Sequence, residues 1–161
     1  MNRYTTKMFL LLLGGAMSCQ AGLAPLAALS MIESGNNDRA VGGAGEVSRY
    51  QIKPSVWRRY TNSRAYQDSA LAAEVAQQHL ASLDTIFTRR TGHAPTDFDR
   101  YVMWNAGPAY YERIGFEPRR VYPVVRRRAQ RYVNLRETSD TAAMPEKSSV
   151  PVPLMASQQA R

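Results

Sequence analysis

In 161 residues the chain has one cysteine, Cys19, and two histidines, His79 and His93. A lone cysteine forms no intramolecular disulfide, so the fold must rest on its core. Because Cys19 falls in an apolar stretch near the start, the body of the protein also lacks a thiol nucleophile. The two histidines stand far apart in sequence with no second cysteine, which gives little basis for a zinc site. Each reads as an ordinary surface or half-buried side chain. The longest unbroken apolar run, Met8 to Leu13, falls well short of the about 20 residues that a bilayer-spanning helix needs. Acidic residues are also scarce, with 13 Asp and Glu against 21 Lys and Arg and a net charge of +8. That balance favours an anionic partner without choosing among nucleic acid, an acidic membrane surface and a wall polymer.

What is present begins with a leader. Arg3 and Lys7 precede the apolar run, and mostly small residues follow from Gly14 to Gly22. A basic start, a short apolar stretch and small residues describe a secretory signal peptide over residues 1–21, cleaved after Ala21 or alternatively after Ser18. The expectation is an exported protein, periplasmic or extracellular. A retained anchor and a buried first helix are the competing readings. Lipid attachment at Cys19 is the one route to membrane association, although Ala16-Met17-Ser18 fits a lipoprotein signal poorly. Export argues against nucleic acid as the partner. Hydrophobic residues make up 44% of the chain, enough for one domain with a real core.

Periodicity predicts a helix from Leu23 to Glu33, with Leu26, Leu29 and Glu33 on one face and Gly35 as terminator. Residues 36–48 read as a loop. Its glycines, Gly42, Gly43 and Gly45, lack the Lys-Ser/Thr pair and preceding strand of a phosphate cradle. A helix from Asp68 to about Arg89 carries the stripe Ala72, Ala76, Leu80, Leu83 and Phe87. Thr91 to Pro95 breaks it, and Thr96 or Asp97 caps the next helix, which shows Phe98, Tyr101, Val102 and Asn105 on one face and stops at Gly107-Pro108. A last helix starts near Pro123 with Val121, Val125, Ala129 and Tyr132 inward and Arg126, Arg127, Arg128 and Arg131 outward. From Thr138 to Arg161 apolar periodicity is lost, which reads as a disordered tail. The expected domain is therefore 22–137: mainly α, with room for a short β-hairpin near 44–53.

Glu33 and Asn105 are polar residues ending apolar faces. Partial desolvation there raises a carboxyl pKa and suits Glu33 to donate a proton to a glycosidic oxygen, which leaves poorly without one. The motifs Met31-Ile32-Glu33-Ser34-Gly35, Gly43-Ala44, Tyr50-Gln51-Ile52-Lys53-Pro54, Trp104-Asn105-Ala106-Gly107-Pro108, and Tyr122 with Val125 follow in order. This series resembles the catalytic domain of soluble lytic transglycosylases, relatives of goose-type lysozyme. The resemblance covers roughly residues 23–135 and implies an α+β lysozyme-like fold, helical around a glycan-binding cleft. It implies that Glu33 is the catalytic acid and base, with Ser34, Tyr50, Gln51, Trp104, Asn105 and Tyr122 at the substrate. Tyr132 is the alternative to Tyr122. The partner it implies is the glycan strand of peptidoglycan, cleaved by a monomer that needs no metal or organic cofactor.

The chain departs from the family's pattern in places. Ser48-Arg49-Tyr50 stands where members show Gly-Leu-Met, Trp104 replaces the usual tyrosine, and the spacing from Gly43-Ala44 to Gln51 is longer. Glu46, in the same loop, adds a second carboxylate. It either positions water or charge for a hydrolytic reaction on the same scaffold, or pairs with Arg49 or another arginine. A lysozyme-type muramidase or chitinase and a silent wall-binding module are thus the competing functions.

Overall fold

The structure, a computed structural model, describes residues 23–142. The leader 1–21, with Cys19, and the tail beyond 142 lie outside the described residues. The described residues form helices α1 (Leu23–Ser34), α2 (Pro54–Trp57), α3 (Ser69–Thr91), α4 (Asp97–Ala106), α5 (Pro108–Arg113) and α6 (Pro123–Ala142), with a 3-10 turn at Pro118–Arg120. None of these helices is long and apolar enough to cross a membrane.

Local chemistry sets the ends. Gly35 turns α1 off at φ 65°, and the amides of Gly35 and Asn36 donate back to Met31 O and Ser30 O at 3.1 and 3.2 Å. Asp68 caps α3 by accepting from the Ala70 and Leu71 amides, and left-handed Gly92 ends it. Thr96, rather than Asp97, caps α4 in a reciprocal box with Asp99. The helix predicted to stop at Gly107-Pro108 does end there, but Gly107 turns the chain at φ 84° and Pro108 opens α5. At the far end α6 continues through Ala142, past the boundary expected at 137. Extending a formed helix fixes one residue per hydrogen bond, so it outruns the loss of apolar pattern.

The expected hairpin is not formed. Only isolated antiparallel bridges, Val41 with Val47 and Val47 with Ile52, occur there. Ser48 and Gln51 sit at φ 66° and 51°, which curls the chain before a ladder can extend. Among the described residues the fold is therefore mainly α.

α4 packs most extensively on α6, α1 lies on α6, and α3 packs on α4. The core is rich in rings: Trp57, Phe87, Tyr101, Tyr111 and Tyr132 are fully buried. Phe87, Tyr111 and Phe116 meet edge-on or tilted at centroid distances of 5.2 to 6.3 Å. The hydroxyls of Tyr101, Tyr111 and Tyr132 each find an acceptor. Tyr111 donates to Oδ1 of buried Asp99 at 2.6 Å, while Thr96 holds Oδ2. Tyr111→Phe strands one oxygen of that carboxylate, and thermal unfolding is expected to show a loss of about 1–3 kcal/mol.

Candidate active site

Glu33 closes the last turn of α1, half-buried, at the wall of a cleft of about 530 Å³. That volume lies within the usual range of small-ligand sites. From α4 beneath it, buried Tyr101 donates its hydroxyl to Glu33 Oε1 at 2.7 Å. Tyr101 is fixed in turn by stacking on Tyr132 at 5.5 Å. Burial pushes the Glu33 carboxyl above its ordinary value, and the Glu46 charge adds to this. The Tyr101 hydrogen bond and the Arg128 charge oppose the shift, but burial prevails. Burial, with the Glu33 charge beside it, pushes the Tyr101 hydroxyl up, so it remains a donor. With Oε1 held, Oε2 is left to carry an exchangeable proton. Tyr101→Phe removes an influence that lowers the Glu33 pKa, so that pKa is expected to rise further. Carboxyl ¹³C titration reads this directly, and an unchanged titration contradicts the assignment.

Glu46 faces the same cleft on the loop after α1. Its backbone carbonyl accepts from the Gly42 amide at 2.8 Å, and its Oε2 from the Ala44 amide at 3.0 Å. It makes no ion pair with Arg49, which instead grips Asp38 through Nε and Nη2 at 2.5 and 2.6 Å. Gln51 also lines the cleft, with Nε2 donating to Ser48 O at 3.1 Å. A left-handed backbone at a non-glycine residue costs on the order of 1 kcal/mol, which the loop accepts in presenting this side chain. Gly42 lies directly behind both polar groups. A Cβ there would overlap Oε2 of Glu46 and come within 2.5 Å of Oε1 of Gln51.

The opposite wall belongs to α3 and α4. Trp104 packs on His79 at a centroid distance of 5.1 Å, and Tyr60 hydrogen-bonds the His79 ring at 3.0 Å. Burial and then the Arg59 charge lower the His79 pKa to about 4, so the ring is neutral near pH 7. An indole braced in this way presents a fixed flat face to the cleft. Asn105 lines the cleft with no side-chain hydrogen bond among the described residues, leaving its amide free for a ligand.

Three of the expected substrate residues stand elsewhere. Ser34 Oγ donates to Arg49 O at 2.8 Å and accepts from the Asn37 amide at 3.0 Å, pinning the loop to α1. Tyr50 is buried in the core, because the left-handed turn around it sends its neighbour Gln51 into the cleft instead. Tyr122 is 63% exposed, its ring 5.0 Å from Tyr110 and its amide donating to the Tyr110 hydroxyl. The alternative, Tyr132, is buried behind Tyr101.

The tyrosine that touches the acid is Tyr101. Its position four before Asn105 already put it on the same helical face, where it read as core. Arg128, expected on the outward face of the last helix, is another residue that the sequence left unassigned to the site, as are Arg59 and His79. Arg126 donates to the carbonyls of Arg119 and Val121, whereas Arg128 lines the cleft. Ile86 and Pro108 line both this cleft and a shallower groove that continues to Arg89, Arg90 and Glu112. Among the described residues no three His, Cys, Asp or Glu side chains are gathered as a metal would require. Comparison with family models, curated proteins and solved structures returns no match.

Proposed function

We propose that this protein is an exported peptidoglycan lytic transglycosylase. The observation that carries the reading is the protonatable Glu33, held by Tyr101 in a cleft that also contains Gln51, Trp104 and Asn105. A buried carboxyl with a raised pKa is the form of acid that glycosidic cleavage needs near neutral pH. The glycan strand lies along the cleft, with a sugar ring on Trp104 and acetamido groups at Asn105 and Gln51.

Glu33 gives its proton to the oxygen that links N-acetylmuramic acid to N-acetylglucosamine. The C1–O bond breaks, and the substrate's own acetamido oxygen stabilises the cationic carbon. The Glu33 carboxylate then takes the proton of the C6 hydroxyl, and O6 closes on C1 as a 1,6-anhydro ring. The proton count balances and no water is consumed. Tyr101 keeps the carboxyl oriented in both states. Because the acid must start protonated, the rate falls as pH rises through the raised pKa of Glu33.

Glu46 supports a second reading, hydrolysis by a lysozyme-type mechanism. Its carboxylate shares the cleft, and its charge reaches Glu33. In that case Glu46 activates a water that attacks C1, and the product has a reducing end. Mass spectrometry of fragments released from purified sacculi separates the two. Anhydro ends support the lytic reaction, and reducing ends support hydrolysis. A cleft that binds sacculi and releases nothing belongs to a wall-binding module.

A further inference from the structure

Three cations line the cleft: Lys53, Arg59 and Arg128. Elsewhere in the fold four arginines are held in ion pairs. Arg49 pairs with Asp38, Arg90 with Glu112, Arg100 with Asp84 and Asp97, and Arg136 with Asp97. None of the three cleft cations has an ion-pair partner among the described residues. They differ in position. The Arg59 charge is felt by His79, on the Trp104 side, whereas the Arg128 charge is felt by Glu33 and Tyr101. Arg128 is therefore the uncommitted cation beside the acid, on rigid helix α6, with its guanidinium donors free.

We propose that Arg128 is the specificity residue of the cleft: it takes a carboxylate carried by the glycan, so that muramoyl strands are selected over neutral N-acetylglucosamine polymers. The inference rests on the proposed glycan-cleaving function and adds a recognition step to it. The carboxylate comes from the lactyl ether or from the stem peptide attached there. A planar guanidinium holds such a group through paired N–H donors, and charge-assisted bonds of this kind are about twice as strong as neutral ones. A neutral chitin-like strand leaves Arg128 without that contact.

Recognition also couples to the acid. Glu33, from α1, is faced by Tyr101 on α4, Arg128 on α6 and Glu46 on the loop. In the free protein the Arg128 charge favours ionised Glu33. A substrate carboxylate on Arg128 cancels that charge, so the Glu33 pKa rises on binding and the acid is loaded when the correct strand arrives.

The test is calorimetric binding with the Glu33→Gln protein, which holds ligand without turnover. Three tetrasaccharides of alternating N-acetylglucosamine and N-acetylmuramic acid serve as probes: one with free lactyl carboxylates, one with these converted to methylamides, and one with stem peptides attached. At least about tenfold tighter binding of the first or third over the methylamide is expected, and the tighter of the two names the source. Adding Arg128→Gln is expected to erase the difference. Equal affinity for all three, a preference that survives Arg128→Gln, or no binding at all overturns the proposal. Cleavage of the same probes by wild type is followed separately. Preferential binding without cleavage removes the enzymatic reading and leaves the recognition by Arg128 standing.

Discussion

Glu33→Gln is expected to lower the rate of glycan cleavage by about 10³-fold or more while leaving the melting temperature nearly unchanged. General acid catalysis contributes about 10²–10⁴-fold, and in the proposed reaction the same group acts twice, as acid and then as base. The substitution preserves shape. A glutamine carbonyl still accepts the Tyr101 hydroxyl that now bonds Oε1 at 2.7 Å. What disappears is the exchangeable proton. The half-buried carboxyl is also replaced by a neutral amide, which removes its desolvation cost. A fall in rate with stability held is therefore the signature of chemistry at this position, and a parallel fall in both means a structural role.

Gly42→Ala is expected to separate the same two quantities from the other side of the cleft. A methyl group at residue 42 collides with the carboxylate of Glu46 and the amide of Gln51, and stands 3.1 Å from Glu46 Cβ. The nearest obstructions are ends of flexible side chains, so the fold accommodates the methyl by moving them. The loop bonds from Gly42 N–H to Glu46 O and between Val47 and Ile52 remain. Displacing positioning groups by about 1 Å is worth about 10²-fold in rate. Activity on sacculi is expected to fall by that order, with a change in thermal midpoint too small to explain it. Retention of full activity contradicts the placement of Glu46 and Gln51 at the substrate.

Much of this was legible from residue order. The apolar stripes located α1, α3, α4 and α6, because burial of one face has a period that sequence displays directly. The same stripes carried Glu33 and Asn105 to the cleft wall, since each ends a buried face. α5 escaped because Gly107-Pro108 signals a stop and a start with equal force. The hairpin expected near 44–53 failed because alternation says nothing about the left-handed turns at Ser48 and Gln51. Those turns also divide Tyr50 from Gln51, both expected at the substrate: Gln51 lines the cleft and Tyr50 enters the core. Tyr101 and Arg128 were invisible as site residues for another reason. Their contribution is the charge and hydrogen bond they bring to Glu33 from α4 and α6, and such meetings between distant segments leave no local pattern.

The arginine-rich face of α6 and the unpaired cleft cations suit the proposed approach to an anionic wall polymer. Arg127 and Arg131 remain exposed outside the cleft and extend that attraction over the surface.

The most direct test of the account is release of soluble glycan from dye-labelled sacculi, with wild type and Glu33→Gln compared at equal concentration near neutral pH. Steady release by wild type and almost none by the variant is expected, although both bind the wall. Equal release by the two proteins, or none by either, contradicts it.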